Sequence, residues 1–206
     1  MKLIFIIIAV AYLLLFLVRW LLSLIYYKKG KSDVTDFPEN LFTVVQPILS
    51  GDPRLESDLR ANLQQTKTVE FYWLIDQSDT EAQRVANKIC QDELFSQRIR
   101  IFLIEDVPQG INPKSYKIEQ VVEDLTRPYL IVLDDDSVID FSKMGELTAY
   151  LGQEVILTGI PYNQERSNFW SKLVAAFVNG NSLITYFTMA QVEANHSING
   201  MFYILQ

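Results

Sequence analysis

The chain has 206 residues, of which 49% are hydrophobic, 12% aromatic and 21% charged, room for one ordinary domain with a real core and not for two. Eighteen Lys and Arg against 25 Asp and Glu give a net charge of −7, unevenly placed: the first 31 residues hold five basic residues and no acidic one, leaving 13 basic and 25 acidic in residues 32–206. That balance argues against a nucleic-acid partner, which needs a basic face, and one cysteine with one histidine excludes an internal disulfide framework and a Cys/His zinc site.

Residues 3–27 are apolar apart from Arg19 and Ser23. As a helix they extend ~37 Å, enough to cross a hydrocarbon core of about 30 Å with some tilt. Trp20, Tyr26 and Tyr27 suit an interfacial end, and Lys28, Lys29 and Lys31 follow at once. By the positive-inside rule that flank is cytoplasmic, and the acidic remainder with it. A cleaved signal peptide is the alternative, but the stretch is long and no small-x-small site precedes the lysines. Arg19 lies ~13 Å along the helix from Lys28. It either snorkels towards the lysines or faces another helix, and snorkelling is the expectation. The sequon Asn195-His196-Ser197 would be silent in the cytoplasm, so its glycosylation would invert this topology.

The expected organisation is a membrane anchor with its basic flank over 1–31, a linker over 32–40 and a domain over 41–206. Within the domain the spacing predicts a strand over 41–49, closed by Ser50-Gly51. Asp52 and Pro53 read as an N-cap and first helical residue, opening a helix to about residue 65. A strand over 69–75, a helix over 80–95, a strand over 99–104 and a helix over 115–125 follow. Residues 129–133 form a wholly apolar strand, buried on both faces, and 155–159 a fifth strand. This order predicts an α/β domain, a mostly parallel sheet flanked by helices. Ligand groups gather at the carboxyl ends of such strands, which singles out residues 47–51, 76–79 and 134–136. Cys90 and His196 read as a buried helix residue and a loop residue.

Asp134-Asp135-Asp136 ends the apolar strand. Adjacent carboxylates repel and resist desolvation unless a cation shares the site. Alternate residues of an extended chain point the same way, so Asp134 and Asp136 can face one ion, and all-oxygen ligands suit Mg²⁺ or Mn²⁺. A solvated acidic turn is the bland alternative. Asp76, at the end of the second strand, can accept from the ring or ribose donors of a nucleotide, whereas Asp79 is as well read as a helix cap. In Gly110-Ile111-Asn112-Pro113-Lys114, Pro113 takes an early helical position, which places free backbone N–H groups and the Lys114 charge where a phosphate could bind, with Lys117 one turn on. Taken singly, that stretch reads as an ordinary capped turn.

Together these features resemble the processive-type inverting glycosyltransferases of the GT-A fold, most closely the ceramide glucosyltransferase group. The resemblance is carried by Thr43-Val44-Val45-Gln46-Pro47-Ile48-Leu49 with Gly51-Asp52-Pro53, by the Asn-Pro-Lys stretch, by the Asp triplet, and by Gly159-Ile160-Pro161-Tyr162 followed by Asn199-Gly200-Met201. It implies a GT-A-like sheet behind one membrane helix and a nucleotide-sugar donor bound by Pro47, Asp76 and Lys114. It further implies a Mg²⁺ or Mn²⁺ ion on Asp134 and Asp136, with Asp135 left open, and an acceptor side lined by Gly200 and Met201. A lipid acceptor is implied as well, with the aromatic-rich residues 168–190 at the membrane surface where it enters; packing within a core helix pair is the equal alternative.

The departures from the family concern catalysis. The family's general base is an aspartate beyond the position of Met201, followed by a Gln-x-x-Arg-Trp motif and further membrane helices. Here Glu146, Glu154, Glu165 and Glu193 do not match the base position, so no catalytic residue is named. The expectation is the front half of an enzyme, whether a natural fragment, a truncation or one piece of a split protein with a C-terminal partner chain. It should bind donor with weak or no turnover in isolation. A catalytically inactive nucleotide-sugar-binding domain and a plain interaction domain are the alternatives.

Overall fold

The structure, a computed structural model, describes residues 2–29, 36–105, 107–164, 168–192 and 198–206. Two compact units divide the chain: residues 1–32 with 160–197, and residues 33–159 with 198–206. In chain order the elements are α1 (Lys2–Lys29), β1 (Phe42–Ile48), α2 (Leu55–Gln64), β2 (Glu70–Asp76), α3 (Thr80–Cys90), α4 (Glu93–Ser96), β3 (Ile99–Ile104), α5 (Pro113–Glu119), β4 (Tyr129–Leu133), β5 (Leu157–Thr158), α6 (Phe169–Gln191) and β6 (Phe202–Leu205).

The larger unit is a six-stranded sheet in the order β3-β2-β1-β4-β6-β5. Strands β1 to β4 run parallel, and β6 joins them antiparallel to both β4 and β5. The central strands read as continuous apolar runs because both faces are covered. Along β2, Phe71, Trp73 and Ile75 pack in one cluster with Leu59 and Leu63 of α2 and Ala86 and Ile89 of α3. The alternate residues Tyr72 and Leu74 pack on the other side with Ile118 of α5 and Val121. Helices on both faces and a reversal of strand order between β1 and β4 make that pair the switch point of the sheet, the place where ligands gather at the carboxyl ends in sheets of this kind.

Local chemistry shifts several expected boundaries. The Asp52 carboxylate accepts the Arg54 N–H at 2.8 Å and the Asp52 carbonyl accepts the Leu55 N–H at 3.1 Å, so a turn forms first and α2 starts at Leu55. The helix expected over 80–95 is broken after Cys90, because the Asp92 side chain accepts the Leu94 N–H and opens a new turn. The helix expected to reach residue 125 ends at Glu119 and continues as a 3₁₀ turn over Val122–Asp124. The fifth strand shrinks to Leu157–Thr158, and β6 is a strand the sequence pattern did not announce.

The smaller unit contains α1 and α6 packed together. Arg19 does not snorkel: its guanidinium donates to Thr185 Oγ1 at 2.8 Å, so the residue faces another helix. Ser23 donates to the Ile184 carbonyl at 3.0 Å, Thr188 donates to the Arg19 carbonyl at 2.9 Å, and Tyr26 packs its ring on Phe187. The polar residues at 179–181 do not interrupt α6. Asn179 bonds both backbone groups of Asn163, and Asn181 donates to the Phe177 carbonyl at 2.9 Å, one turn back. Both α1 and α6 are long and apolar enough to cross a membrane. The sequon, His196, Glu165 and Glu193 lie outside the described residues.

Candidate functional site

The carboxyl ends of β1, β2 and β4 are tied together by carboxylates. After β1 the chain turns at Gly51, whose φ of +123° favours a residue without Cβ. The Leu49 N–H donates to Asp135 Oδ2 at 2.7 Å, and the Ser50 N–H donates to Asp79 Oδ2 at 2.7 Å. One loop is thus held from the β4 end and from the β2 end at once. Asp79 also caps α3 by accepting the Ala82 N–H at 2.9 Å. Burial pushes this carboxyl up, but the Ala82 and Ser50 donors outweigh it and hold it below the usual range.

Asp76 closes β2. Its Oδ2 accepts from Lys117 Nζ at 2.8 Å, and its Oδ1 is buried with no hydrogen-bond partner. Lys117 is 5% exposed, so it is committed to this pair and is not a second charge for a phosphate. Asn112 caps α5 by accepting the Ser115 N–H at 3.1 Å, with Pro113 in the first turn. From that turn the Lys114 ammonium reaches both the Asp134 carboxylate and the Gly200 carbonyl, and it lies 5.8 Å from the centre of the Tyr203 ring. The Asp134 N–H meanwhile donates to the Met201 carbonyl at 3.0 Å. Lys114, Asp134, Gly200 and Met201, remote in sequence, are therefore neighbours.

The triplet is not extended. Strand β4 stops at Leu133, and the Ser137 N–H donates to the Asp134 carbonyl at 3.2 Å, closing a turn. The alternation that would aim Asp134 and Asp136 together does not apply within a turn. Each carboxylate has its own surroundings: Asp134 is paired with Lys114, Asp135 is half-buried and holds Leu49, and Asp136 is exposed, its nearest partner the Ser137 hydroxyl at 3.4 Å. Burial pushes the Asp135 carboxyl above the ordinary carboxylate range, and the charges of Asp136 and Asp134 add to that. Pro47 stands half-buried on β1 opposite Leu74, past the last β1–β4 register pair, Val45 with Val132.

One residue of the site was not picked out from the sequence. Asn62 of α2, fully buried, donates to the Ser137 carbonyl at 2.8 Å and accepts the Ile139 N–H at 2.9 Å, which pins the segment that follows the triplet. A polar residue on the buried face of a helix, in line with Leu55, Leu59 and Leu63, was the available signal.

The donor chemistry of the triplet suits a hard divalent cation. Among the described residues no three His, Cys, Asp or Glu side chains converge as a cage. One or two carboxylates completed by phosphate oxygens and water is the usual way of holding Mg²⁺. Asp135 and Asp136 fit that arrangement, since Asp135 is desolvated and Asp136 is exposed beside it with only the Arg54 charge acting on it from a distance, whereas Asp134 is paired directly with Lys114.

The family model for glycosyl transferase family 21 matches residues 1–206. This chain belongs to that family. No curated protein matches the family 21 chain. Among solved structures, it is similar to the mannosyltransferase PcManGT from Pyrobaculum calidifontis, in complex with GDP-Man and Mn²⁺, at a TM-score of 0.56 and 12% identity over 91% of this chain and 53% of that one. It thus spans about half the length of that relative. It also matches glucosyl-3-phosphoglycerate synthase from Mycobacterium tuberculosis, in complex with Mn²⁺, UDP and phosphoglyceric acid, at a TM-score of 0.47 and 12% identity over 86% of this chain and 61% of that one. The fold is the GT-A-like sheet flanked by helices that the sequence led us to expect.

Proposed function

We propose that the chain carries the donor-binding side of a membrane-anchored glycosyltransferase of the ceramide glucosyltransferase group, which moves a sugar from a nucleotide diphosphate to a lipid acceptor. The observation that carries this reading is the Lys114 ammonium, held between the Asp134 carboxylate and the Gly200 carbonyl at the end of β4. A cation there is in place to meet a diphosphate, while the same contact ties the donor side to the Gly200-Met201 segment of the acceptor side.

Asp76 offers its free buried oxygen to an N–H or O–H of the base or ribose, with Lys117 fixing the carboxylate. Pro47 lines the β1 side. Lys114 exchanges Asp134 for a diphosphate oxygen and stabilises the charge that grows on the leaving group. Asp135 and Asp136 hold a Mg²⁺ or Mn²⁺ ion, which supplies further neutralisation of that charge when bound. The acceptor hydroxyl must lose its proton to a base; Glu146 and Glu154 are exposed, on segments apart from the strand ends, and neither is assigned that role. Helix α1 anchors the chain, with Lys28 and Lys29 on the cytoplasmic side.

Calorimetric titration of the detergent-solubilised chain with UDP and with GDP, each with and without Mn²⁺, tests this. At least one nucleotide should bind, and only with Mn²⁺. Asp136→Ala should weaken that binding about tenfold or more, as expected for a charged ligand contributing about 1.5 kcal/mol. Glu154→Ala should leave it unchanged. Mn²⁺-dependent binding indifferent to Asp136 would overturn the site, and no binding at all would favour a plain interaction domain.

A further inference from the structure

Helix α6 qualifies by length and composition as a membrane span, yet the strand order does not allow it to be one. Strand β5 ends at Thr158 and β6 begins at Phe202, and the two are paired antiparallel in one sheet. Both ends of α6 therefore return to the same side of any membrane. A spanning α6 of ~34 Å would oblige one of its two ten-residue connections to the sheet, 159–168 or 192–201, each reaching about 35 Å at full stretch, to recross the hydrocarbon as extended chain. Unpaired backbone groups are not tolerated there.

The surface of α6 shows how it is solvated instead. Phe169, Trp170, Leu173, Val174 and Phe177 are all at least half exposed. At 100° per residue they fall within about 140° of arc, with Lys172, Asn179 and Ser182 on the opposite side. Its later half meets α1 through Arg19, Ser23, Thr185 and Thr188, whose polar groups satisfy one another. Matched polar contacts between otherwise apolar helices are what a low-dielectric surround demands. They lie in the second half of α1, which runs to Lys28 and Lys29, the end that belongs at the headgroups.

We propose that α6 is a surface-lying membrane helix, its apolar stripe set into the headgroup–acyl boundary of the leaflet at the lysine end of α1 and its later half clasped to the anchor. The occupant of the stripe is lipid. This rests on α1 being a membrane anchor, and the test separates the two.

Nitroxide labels are placed singly on cysteines in a Cys90→Ser background of the full chain, reconstituted into phosphatidylcholine–phosphatidylglycerol vesicles. The sites are Trp170→Cys, Leu173→Cys and Phe177→Cys on the stripe, Lys172→Cys and Ser182→Cys opposite, and Leu13→Cys in α1. Accessibility to oxygen relative to an aqueous nickel chelate should be several-fold higher at the three stripe positions than at the two opposite ones. The stripe positions should share one shallow depth, and Leu13 should read near the bilayer centre. A depth that runs through the midplane along α6 would mean a span and overturn the proposal. An aqueous or sterically closed stripe with a deep Leu13 would overturn it while leaving the anchor standing. An aqueous Leu13 would overturn both.

Discussion

Lys117 and Asp76 form a pair in which the lysine is almost wholly enclosed, at 5% exposure, and the carboxylate oxygens are 2.8 Å away or buried without a partner. Removing one member of such a pair strands the other, at a typical cost of about 3–5 kcal/mol. Because the Asp76 side chain keeps 22% exposure, Lys117→Met should destabilise the chain by about 3 kcal/mol in urea unfolding, at the low end of that range. Adding Asp76→Leu should recover most of the loss. The Asp135 carboxyl behaves in the opposite sense. Its folded value is raised above 3.8 by burial, so the folded state holds the proton more tightly. That contribution to stability is complete below the unfolded value and is lost as pH rises through the folded one. Asp135→Asn should therefore raise the thermal midpoint at pH 7, with the gain vanishing near pH 3, while abolishing Mn²⁺-dependent nucleotide binding. Residue types at the strand ends were legible in the sequence; their partners were not. Lys114 and Lys117 look alike as two lysines one turn apart, and only the packing of α5 shows that one faces Asp134 and the other is sealed against Asp76.

The turn after β4 and the antiparallel strand β6 hold the site as elements. Asn62 joins α2 to Ser137 and Ile139, and Asn62→Ala should leave the half-buried Ser137 carbonyl and the buried Ile139 N–H unpaired, the buried group alone costing about 1–3 kcal/mol. Chemical unfolding should show a loss of that order, and Mn²⁺-dependent affinity should fall with it as the triplet turn loosens. Gly159 serves the other border. A Cβ there would stand 2.7 Å from Cδ1 of Phe202, so Gly159→Ala should cost about 1–3 kcal/mol by displacing the ring and the β5–β6 pairing, and Gly159→Ala with Phe202→Leu should recover part of it. The parallel strands could be read from their apolar runs because each carries its own pattern. Strand β6 could not, since four residues, Phe202–Leu205, are a strand only by virtue of β4, far away in sequence. The extended reading of the Asp triplet failed for a related reason: it continued β4 by periodicity past Leu133, where β1 and β4 have no further register pairs and the Asp134 carbonyl turns back to Ser137.

Across the whole molecule, charge segregation, one long apolar helix and an α/β alternation carried most of the architecture, and membership of glycosyl transferase family 21 over residues 1–206 agrees with it. What composition could not disclose is that residues 160–197 group with the N-terminal helix, because that depends on Arg19, Ser23, Thr185 and Thr188 finding one another. The central claim concerns the switch point between β1 and β4, where four chain segments bring Asp76, Lys114, Asp135, Asp136 and the Gly200 carbonyl to one sheet edge. Anomalous diffraction at the manganese edge, from crystals of the chain grown with Mn²⁺ and the nucleoside diphosphate it binds, addresses that claim directly. The expected map has one strong peak within direct coordination distance of Asp135 or Asp136 and of the diphosphate, with Lys114 turned from Asp134 onto a phosphate oxygen. A peak on carboxylates elsewhere in the chain, or a diphosphate bound away from Lys114, would contradict it.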